Sequence, residues 1–208
     1  MIPLSQDEMD RLPIPQDGSP LRVLLSGCLA GRPCGIDGTS YGVWPFLKFL
    51  QTHPYVQIVA FCPEDWAFGT PRELCNIHGG NGFDVLAGRA RVLTEVGEDW
   101  TQPMLAAAET MLQKAREHDV HLAILMDISA ACGSQVIYDG HRTTPEVRYQ
   151  QGPGVCAALL RQHGIPVISQ RDHRILEQIH LKLDASHVPN PSAIDHHETA
   201  WYRDYFKV

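Results

Sequence analysis

The sequence predicts an α/β protein: a three-layer sandwich with a mostly parallel sheet and a site at the carboxyl ends of the strands. Apolar runs of strand length alternate with segments of helical periodicity, as in parallel sheets that are covered on both faces. The runs end in loops rich in glycine and small residues, where such sheets bind ligands. With 208 residues, 44% of them hydrophobic, the chain can bury a core of its own.

The apolar runs predict strands in the order residues 21–25, 56–61, 121–126 and 165–169. Between and beside them, apolar side chains at helical intervals predict helices over residues 43–50, 100–118 and 154–163. Residues 85–93 are expected to form a short hairpin, and the segment from 62 to 82 is expected to be a loop.

These elements give an expected division into an N-terminal arm (1–20), an α/β domain (21–171) and a C-terminal helical extension (172–208). The extension ends in an aromatic stripe, which we expect to dock on the body or to form a homodimer: Trp201, Tyr202, Tyr205 and Phe206.

The formal charge of −7 argues against long nucleic acid as a partner, because such binding depends on many basic residues that neutralise phosphates. The apolar runs are too short to cross a bilayer, and the start of the sequence lacks a secretion pattern, so we expect a cytoplasmic protein acting on a small molecule. The six cysteines would then be in a reducing compartment, where disulfides are disfavoured. Metal binding, catalysis or burial is therefore the better explanation for each cysteine.

Three cysteines, Cys28, Cys62 and Cys132, each follow one of the predicted strands. The carboxyl ends of parallel strands meet at one edge of a sheet, so these thiols are expected to converge although they are remote in sequence. Three thiolates suit an iron–sulfur cluster with one iron left open, or a zinc ion with one vacant position. The competing interpretation is simple burial, which the loop composition at all three positions disfavours.

The other three cysteines lie in different sequence contexts. Cys156 lies in the apolar pattern of a helix and is expected to be a core residue. Cys34 shares the first loop with Cys28 and is a candidate fourth ligand, sulfur acceptor or packing residue. For Cys75, metal binding, catalysis and burial all stay open.

Taken together, several motifs resemble the 2-thiouracil desulfurase family. They follow the family's order across about residues 21 to 170 and read CLAGRPCGIDG from Cys28, CPE from Cys62 with PR at Pro71, GGNGFDVLAGRARVL from Gly79, ACGSQVIYDG from Ala131 and GPGVCAALLRQHGIPVIS from Gly152. The family's usual lysine, proline and second serine before the third cysteine are replaced here by Met126, Ala130 and Ala131.

The resemblance implies an iron–sulfur-dependent desulfidase that removes sulfur from a thiolated pyrimidine of the 2-thiouracil or 4-thiouridine monophosphate type. It implies a four-iron four-sulfur cluster, held by Cys28, Cys62 and Cys132 with one iron not bound by protein. It also implies catalytic roles for Glu64 and Ser129. Hydrosulfide and the oxo-pyrimidine would be the products.

Three further residues are candidates with simpler alternatives. Asp37 is a candidate catalytic acid or an Asx-turn residue. Arg72 could bind a substrate phosphate or pair with a carboxylate such as Glu73, and Gly133 is a candidate substrate-binding position.

Two other functions stay open from the residues alone. One is a non-enzymatic zinc protein, and the other is an enzyme in which Cys34 or Cys132 is a nucleophile activated by a histidine. The tail also contains several histidines, which we interpret as solvated polar residues because no set of carboxylate or thiol ligands accompanies them: His173, His180, His187, His196 and His197.

Overall fold

A computed structural model describes residues 4–40 and 42–208. Its helices are α1 (Gln6–Arg11), α2 (Lys48–Thr52), α3 (Pro63–Phe68), α4 (Gly82–Leu86), α5 (Thr101–Glu117), α6 (Val155–Gln162), α7 (His173–Leu183) and α8 (Ala200–Phe206). Its strands are β1 (Leu21–Ser26), β2 (Val56–Phe61), β3 (Cys75–His78), β4 (Arg91–Thr94), β5 (Leu122–Leu125), β6 (Val136–Tyr138), β7 (Tyr149–Gln151) and β8 (Val167–Ser169). Within the described ranges, no helix is long and apolar enough to cross a membrane.

The centre of the protein is a four-stranded parallel sheet in the order β2-β1-β5-β8. Ser26 of β1 lies opposite Phe61 of β2, and Leu125 of β5 lies opposite Ser169 of β8. β1 and β5 are followed by loops, and β2 is followed by the short connection at Cys62 that leads into α3. The register therefore places these three connections along one edge of the sheet.

Helices cover both faces of this sheet. On one face, the apolar side of α5 is buried with residues of α4 and α6, because Met104, Met111 and their neighbours recur at three- and four-residue intervals. On the other face, Leu50 of α2 and Leu176 of α7 pack against β1 and β5, and Met9 of α1 joins them. The prediction of a three-layer α/β sandwich is confirmed.

The four predicted strands of the main sheet are present, but two local expectations were wrong. Residues 85–93 do not form a hairpin, because Asn81 and Asp84 form a capping box that starts α4. The segment from 62 to 82 is not a continuous loop either: it contains α3 and β3, and β3 pairs antiparallel with β4.

The two ends of the described chain pack on the body. Leu4, Met9 and Leu12 are buried against the face of the sheet that α7 covers. In the aromatic stripe, Tyr202 is buried and its hydroxyl accepts a hydrogen bond from Gln151 of β7, while Tyr205 accepts one from the backbone of β7. The homodimer remains a prediction.

Candidate active site at the carboxyl ends of the strands

A cavity of about 340 Å³ opens at the edge of the sheet where the parallel strands end. Five cysteines line it together with two carboxylates, hydroxyl groups and arginines. The chemically important lining residues are Cys28, Cys34, Cys62, Cys75, Cys132, Glu64, Ser129, Arg72, Asp127, Arg142 and Arg171. Three loops, remote in sequence, therefore contribute to one wall.

Two of the loops bring three thiols together. The thiol of Cys34 forms hydrogen bonds with Cys28, its neighbour in the first loop, and with Cys62 after β2. The bond with Cys28 is the main reason that the pKa of Cys34 is raised to about 11, and burial adds to it. Three sulfur atoms thus share one corner of the cavity.

Cys62 also begins α3. Its Sγ accepts a hydrogen bond from the backbone N–H of Asp65 at 3.4 Å, and Pro63 occupies the first helical position, where no N–H is needed. A Cβ on Gly27 would lie 3.2 Å from the Cβ of Cys62, so glycine lets the two loops approach. The hydrogen bond with Cys34, followed by burial, raises the pKa of Cys62.

Cys132 reaches the cavity from the loop after β5 and is only 6% exposed. The start of α6 holds this loop, because the N–H groups of Val155 and Cys156 donate to the carbonyls of Ala130 and Ala131 at 2.8 and 2.9 Å. A Cβ on Gly154 would lie 2.6 Å from the carbonyl oxygen of Ala130, so this contact requires glycine. Burial raises the pKa of Cys132 well above its ordinary value.

The spacing of these thiols matters for what they could hold. In the described part of the chain, no three His, Cys, Asp or Glu side chains are grouped as ligands of one metal ion. A single zinc ion needs all its ligands within about 2.0 to 2.3 Å. The ligands of a multi-iron cluster bind different irons and stand farther apart. Cys28, Cys62 and Cys132 bring three thiols to one cavity, and three thiols are a donor set that an iron–sulfur cluster takes.

Glu64 lies at the centre of the polar wall. It follows Cys62 in the first turn of α3, which aims its carboxylate at two other loops. Oε1 accepts a hydrogen bond from the hydroxyl of Ser129 at 3.0 Å, and Oε2 accepts one from Nη2 of Arg72 at 3.1 Å. The side chain of Glu64 is 18% exposed, so it keeps access to the cavity.

Ser129 links Glu64 to the Cys132 loop. Its oxygen accepts hydrogen bonds from the backbone N–H groups of Ala131 and Cys132 at 3.2 and 3.0 Å. Its own proton is directed at Glu64. The hydroxyl therefore fixes the conformation of the loop and the position of the carboxylate together.

Arg72 pairs with Glu64 and not with Glu73. Its side chain is 5% exposed, and its terminal nitrogens also donate to the carbonyls of Cys34 and Gly35. Burial works against the charged guanidinium, but the carboxylate of Glu64 outweighs it and raises the pKa of Arg72. Arg72 thus joins the first loop to α3.

Two candidates lie outside the cavity lining. Asp37 is exposed, and its Oδ1 accepts hydrogen bonds from the backbone and the hydroxyl of Thr39, which is an Asx turn. Gly133 is packed into its loop, because an added Cβ would lie 2.7 Å from Val136 O and 2.8 Å from Ser129 O. Their positions give Asp37 a turn-forming role and Gly133 a packing role.

Among the remaining cysteines, Cys75 lines the cavity from β3 and is 7% exposed, while burial raises its pKa. Cys156 is fully buried in α6, as predicted from its apolar pattern.

Sequence reasoning missed four residues near the site. Arg142 and Arg171 line the cavity, and Asp127 lines it from the Cys132 loop. The fourth is His196, which we had interpreted as a solvated tail residue; it is 1% exposed and contacts Asp127. The only signal for Asp127 was its place directly after a buried strand, and nothing local marks His196.

Comparisons with known proteins identify the family of this chain. The family model described as 2-thiouracil desulfurase matches residues 23–172. YbbK of Bacillus subtilis (strain 168), described as an uncharacterized protein, is 37% identical over 151 residues, which is 72% of this chain and 96% of YbbK.

A solved structure is also similar. It is described as the [4Fe-4S]-dependent thiouracil desulfidase TudS, and it is 33% identical with a TM-score of 0.61. The match covers 74% of this chain and 94% of TudS. The family match begins within β1, continues through β8 and includes every residue that lines the cavity described above. The chain belongs to the 2-thiouracil desulfurase family.

Proposed function

We propose that this chain is a desulfidase that removes sulfur from a thiolated pyrimidine, with a four-iron four-sulfur cluster bound by Cys28, Cys62 and Cys132. The observation that carries the proposal is the placement of Glu64, hydrogen-bonded to Ser129, on the wall that the three thiols share. Family membership and the similarity to TudS support the reaction class.

The cluster, when bound, would supply an iron without a protein ligand, which is a soft Lewis acid for the thiocarbonyl sulfur. The overall reaction converts a thiocarbonyl and water into a carbonyl, hydrosulfide and a proton. Water attacks the ring carbon, a C–O bond forms, and the C–S bond breaks. No oxidant or reductant is consumed.

In this proposal Glu64 is the general base. Its Oε1 and Oε2 each accept one hydrogen bond from the protein, which leaves carboxylate lone pairs free to accept a proton from the attacking water. Arg72 is a positioning residue, because its buried guanidinium fixes the plane of the carboxylate. Ser129 orients Oε1 through its hydrogen bond. With substrate bound, its hydroxyl would turn from Oε1 and donate that one proton to the ring nitrogen or to the oxygen that develops charge.

The positions of two arginines on the cavity wall favour a negatively charged substrate. Arg142 and Arg171 line the cavity, and neither forms an ion pair with another described residue. The guanidinium of Arg142 lies 5.0 Å from the ring of Tyr138, which also lines the cavity. Guanidinium groups bind phosphate well, so a thiopyrimidine nucleotide fits this wall better than the free base.

The cysteine-nucleophile alternative receives less support. Of the described residues, no histidine lines the cavity, so neither Cys34 nor Cys132 has an adjacent histidine base there. The pKa of Cys34 is also raised to about 11, the opposite of what a nucleophilic thiolate needs.

The test is an anaerobic assay of the full chain with 2-thiouracil and with 4-thiouridine monophosphate, in which hydrosulfide and the oxo-pyrimidine are both measured. The proposal expects equal amounts of the two products from at least one substrate. A preparation that carries its iron and sulfide but releases no hydrosulfide from either substrate would contradict it.

A further inference from the structure

A buried contact joins the C-terminal segment, residues 173–208, to the loop that carries Cys132. Nδ1 of His196 lies 2.6 Å from Oδ2 of Asp127, and the two side chains are 2% and 0% exposed. A carboxylate can only accept a hydrogen bond, so Nδ1 carries the proton and donates it. Burial opposes the charge on Asp127, but the hydrogen bond from His196 outweighs it and lowers the pKa of Asp127.

The other oxygen of Asp127 holds the far side of the same loop. Oδ1 accepts hydrogen bonds from the backbone N–H groups of Ser134, Gln135 and Val136 at 2.9, 3.3 and 3.3 Å. These residues follow Cys132 and Gly133 directly, while Asp127 precedes Ser129. One carboxylate therefore ties together the two ends of the loop that presents both Ser129 and Cys132.

A second carboxylate secures the same connection. Asp172 accepts a hydrogen bond from the backbone N–H of His196 at 3.1 Å, and its two oxygens lie 2.7 and 2.9 Å from Nε2 of Gln135. His196 is thus attached by its ring to one end of the loop and, through Asp172, to the other. Asp127, Gln135, Asp172 and His196 form a closed, buried polar network.

His196 is itself held firmly in place. It begins a short 3-10 helix, His196–Glu198, whose preceding residue Asp195 forms a capping box with Glu198. Asp195 also accepts a hydrogen bond from the backbone N–H of Ile175 in α7 at 3.1 Å. The ring of His196 stacks on Trp201, with centroids 5.6 Å apart.

The family match ends at residue 172, so His196 lies outside it. We infer that His196 is a positioning residue, supplied by the C-terminal segment, which fixes the loop bearing Cys132 and Ser129 through Asp127. The inference rests on the proposed function only for the roles of Cys132 and Ser129, the two residues that the loop carries. The contact between His196 and Asp127 does not require a bound cluster or substrate, since His196 does not line the cavity.

The test compares variants of the full-length protein by hydrogen exchange with mass spectrometry. His196→Ala removes the donor, whereas His196→Asn keeps an N–H near the position of Nδ1. His187→Ala is the matched control, because His187 also lies 2.6 Å from a carboxylate, Glu177, in the same segment but does not contact the loop. Ile179→Val, in the buried face of α7, controls for general destabilisation.

The expected result is that His196→Ala speeds exchange in peptides covering residues 127–137 by about tenfold or more, as loss of a charge-assisted hydrogen bond predicts. Exchange in α5 should stay close to that of the unaltered protein, His196→Asn should restore most of the protection, and both controls should leave the loop protected. In the iron-loaded protein, His196→Ala should also speed the loss of visible absorbance to a chelator.

Two results would overturn the inference. One is unchanged exchange of residues 127–137 in His196→Ala. The other is an equally large acceleration of exchange in α5, which general destabilisation of the fold would give. The exchange experiment needs no cluster, so a chain that binds no iron would refute the proposed function while the loop measurement still decides the role of His196.

Discussion

The hydroxyl of Ser129 donates a hydrogen bond of 3.0 Å to Oε1 of Glu64. The two residues are 65 positions apart and come from different strand ends, after β2 and after β5. Glu64 lies two residues after Cys62, and Ser129 lies three residues before Cys132. Both cysteines line the cavity. A carboxylate, a hydroxyl and two thiols are therefore placed relative to one another by a single contact.

Replacing the base while keeping its shape tests the role of Glu64. Glu64→Gln retains a carbonyl oxygen that can accept from Ser129 but can no longer take up a proton. We expect kcat to fall by a factor of about 10² to 10⁴ while the iron content stays unchanged. Steady-state assay and iron analysis of the same sample check this, and loss of iron in the variant would instead mean that Glu64 is structural.

Arg72 should contribute to stability as well as to the site. Arg72→Lys cannot reach Glu64, Cys34 O and Thr70 together, as the guanidinium does. We expect the free energy of unfolding to fall by about 2 to 3 kcal/mol, measured by urea denaturation.

The matched control for that measurement is Arg89→Lys. Arg89 pairs with Asp84 at 2.7 Å but is 65% exposed. Its substitution should cost less than about 0.5 kcal/mol. Equal effects of the two substitutions would mean that the buried network around Arg72 adds nothing to an ordinary surface pair.

Substrate charge can be tested at Arg171. Arg171→Ala removes an exposed guanidinium from the cavity wall, so we expect KM for 4-thiouridine monophosphate to rise about tenfold, with a much smaller change for 2-thiouracil. Arg148→Ala is the control, because that side chain is 70% exposed and does not line this cavity. A parallel change for both substrates would exclude a phosphate role for Arg171.

A pH-dependent contribution to stability is expected at Glu95. Burial opposes its ionisation, but hydrogen bonds from the Arg142 N–H, Thr143 and His141 outweigh this and lower the pKa of Glu95 from 4.5 to about 2. Because the pKa is lower in the folded state, the stabilisation is present above pH 4.5 and is lost as the pH falls towards 2. Glu95→Gln should therefore destabilise the protein most at neutral pH.

The measurement is urea unfolding at pH 7 and at pH 4. The difference between the unaltered protein and Glu95→Gln should narrow by about 1 kcal/mol at the lower pH. Glu98→Gln, at an exposed position three residues away, is the control. A difference that widens on acidification would show that Glu95 does not have a lowered pKa.

Local sequence patterns predict the main sheet well. The runs that form β1, β2, β5 and β8 are mostly apolar because both faces of the sheet are covered, although Arg22 and Gln57 interrupt the first two. This pattern is visible in the sequence. The small strands β6 and β7 were missed, since they are three residues each and β7 is mostly polar.

The sequence also predicted some residues of the site and missed others. Cys28, Cys62 and Cys132 could be grouped in advance because each follows a strand, and parallel strands end at one edge. His196 could not, because its partner Asp127 is 69 residues away and the contact depends on how the last segment folds back. Tertiary contacts of this kind leave no periodic or spacing signal in the chain.

The most direct measurement is the iron and acid-labile sulfide content of anaerobically purified protein, compared with Cys132→Ser and Cys156→Ala. The account predicts about four iron and four sulfide per chain in the unaltered protein and in Cys156→Ala, with a large loss in Cys132→Ser. A colourless protein that binds one zinc ion and no sulfide, or a Cys132→Ser variant that keeps the full iron content, would contradict it.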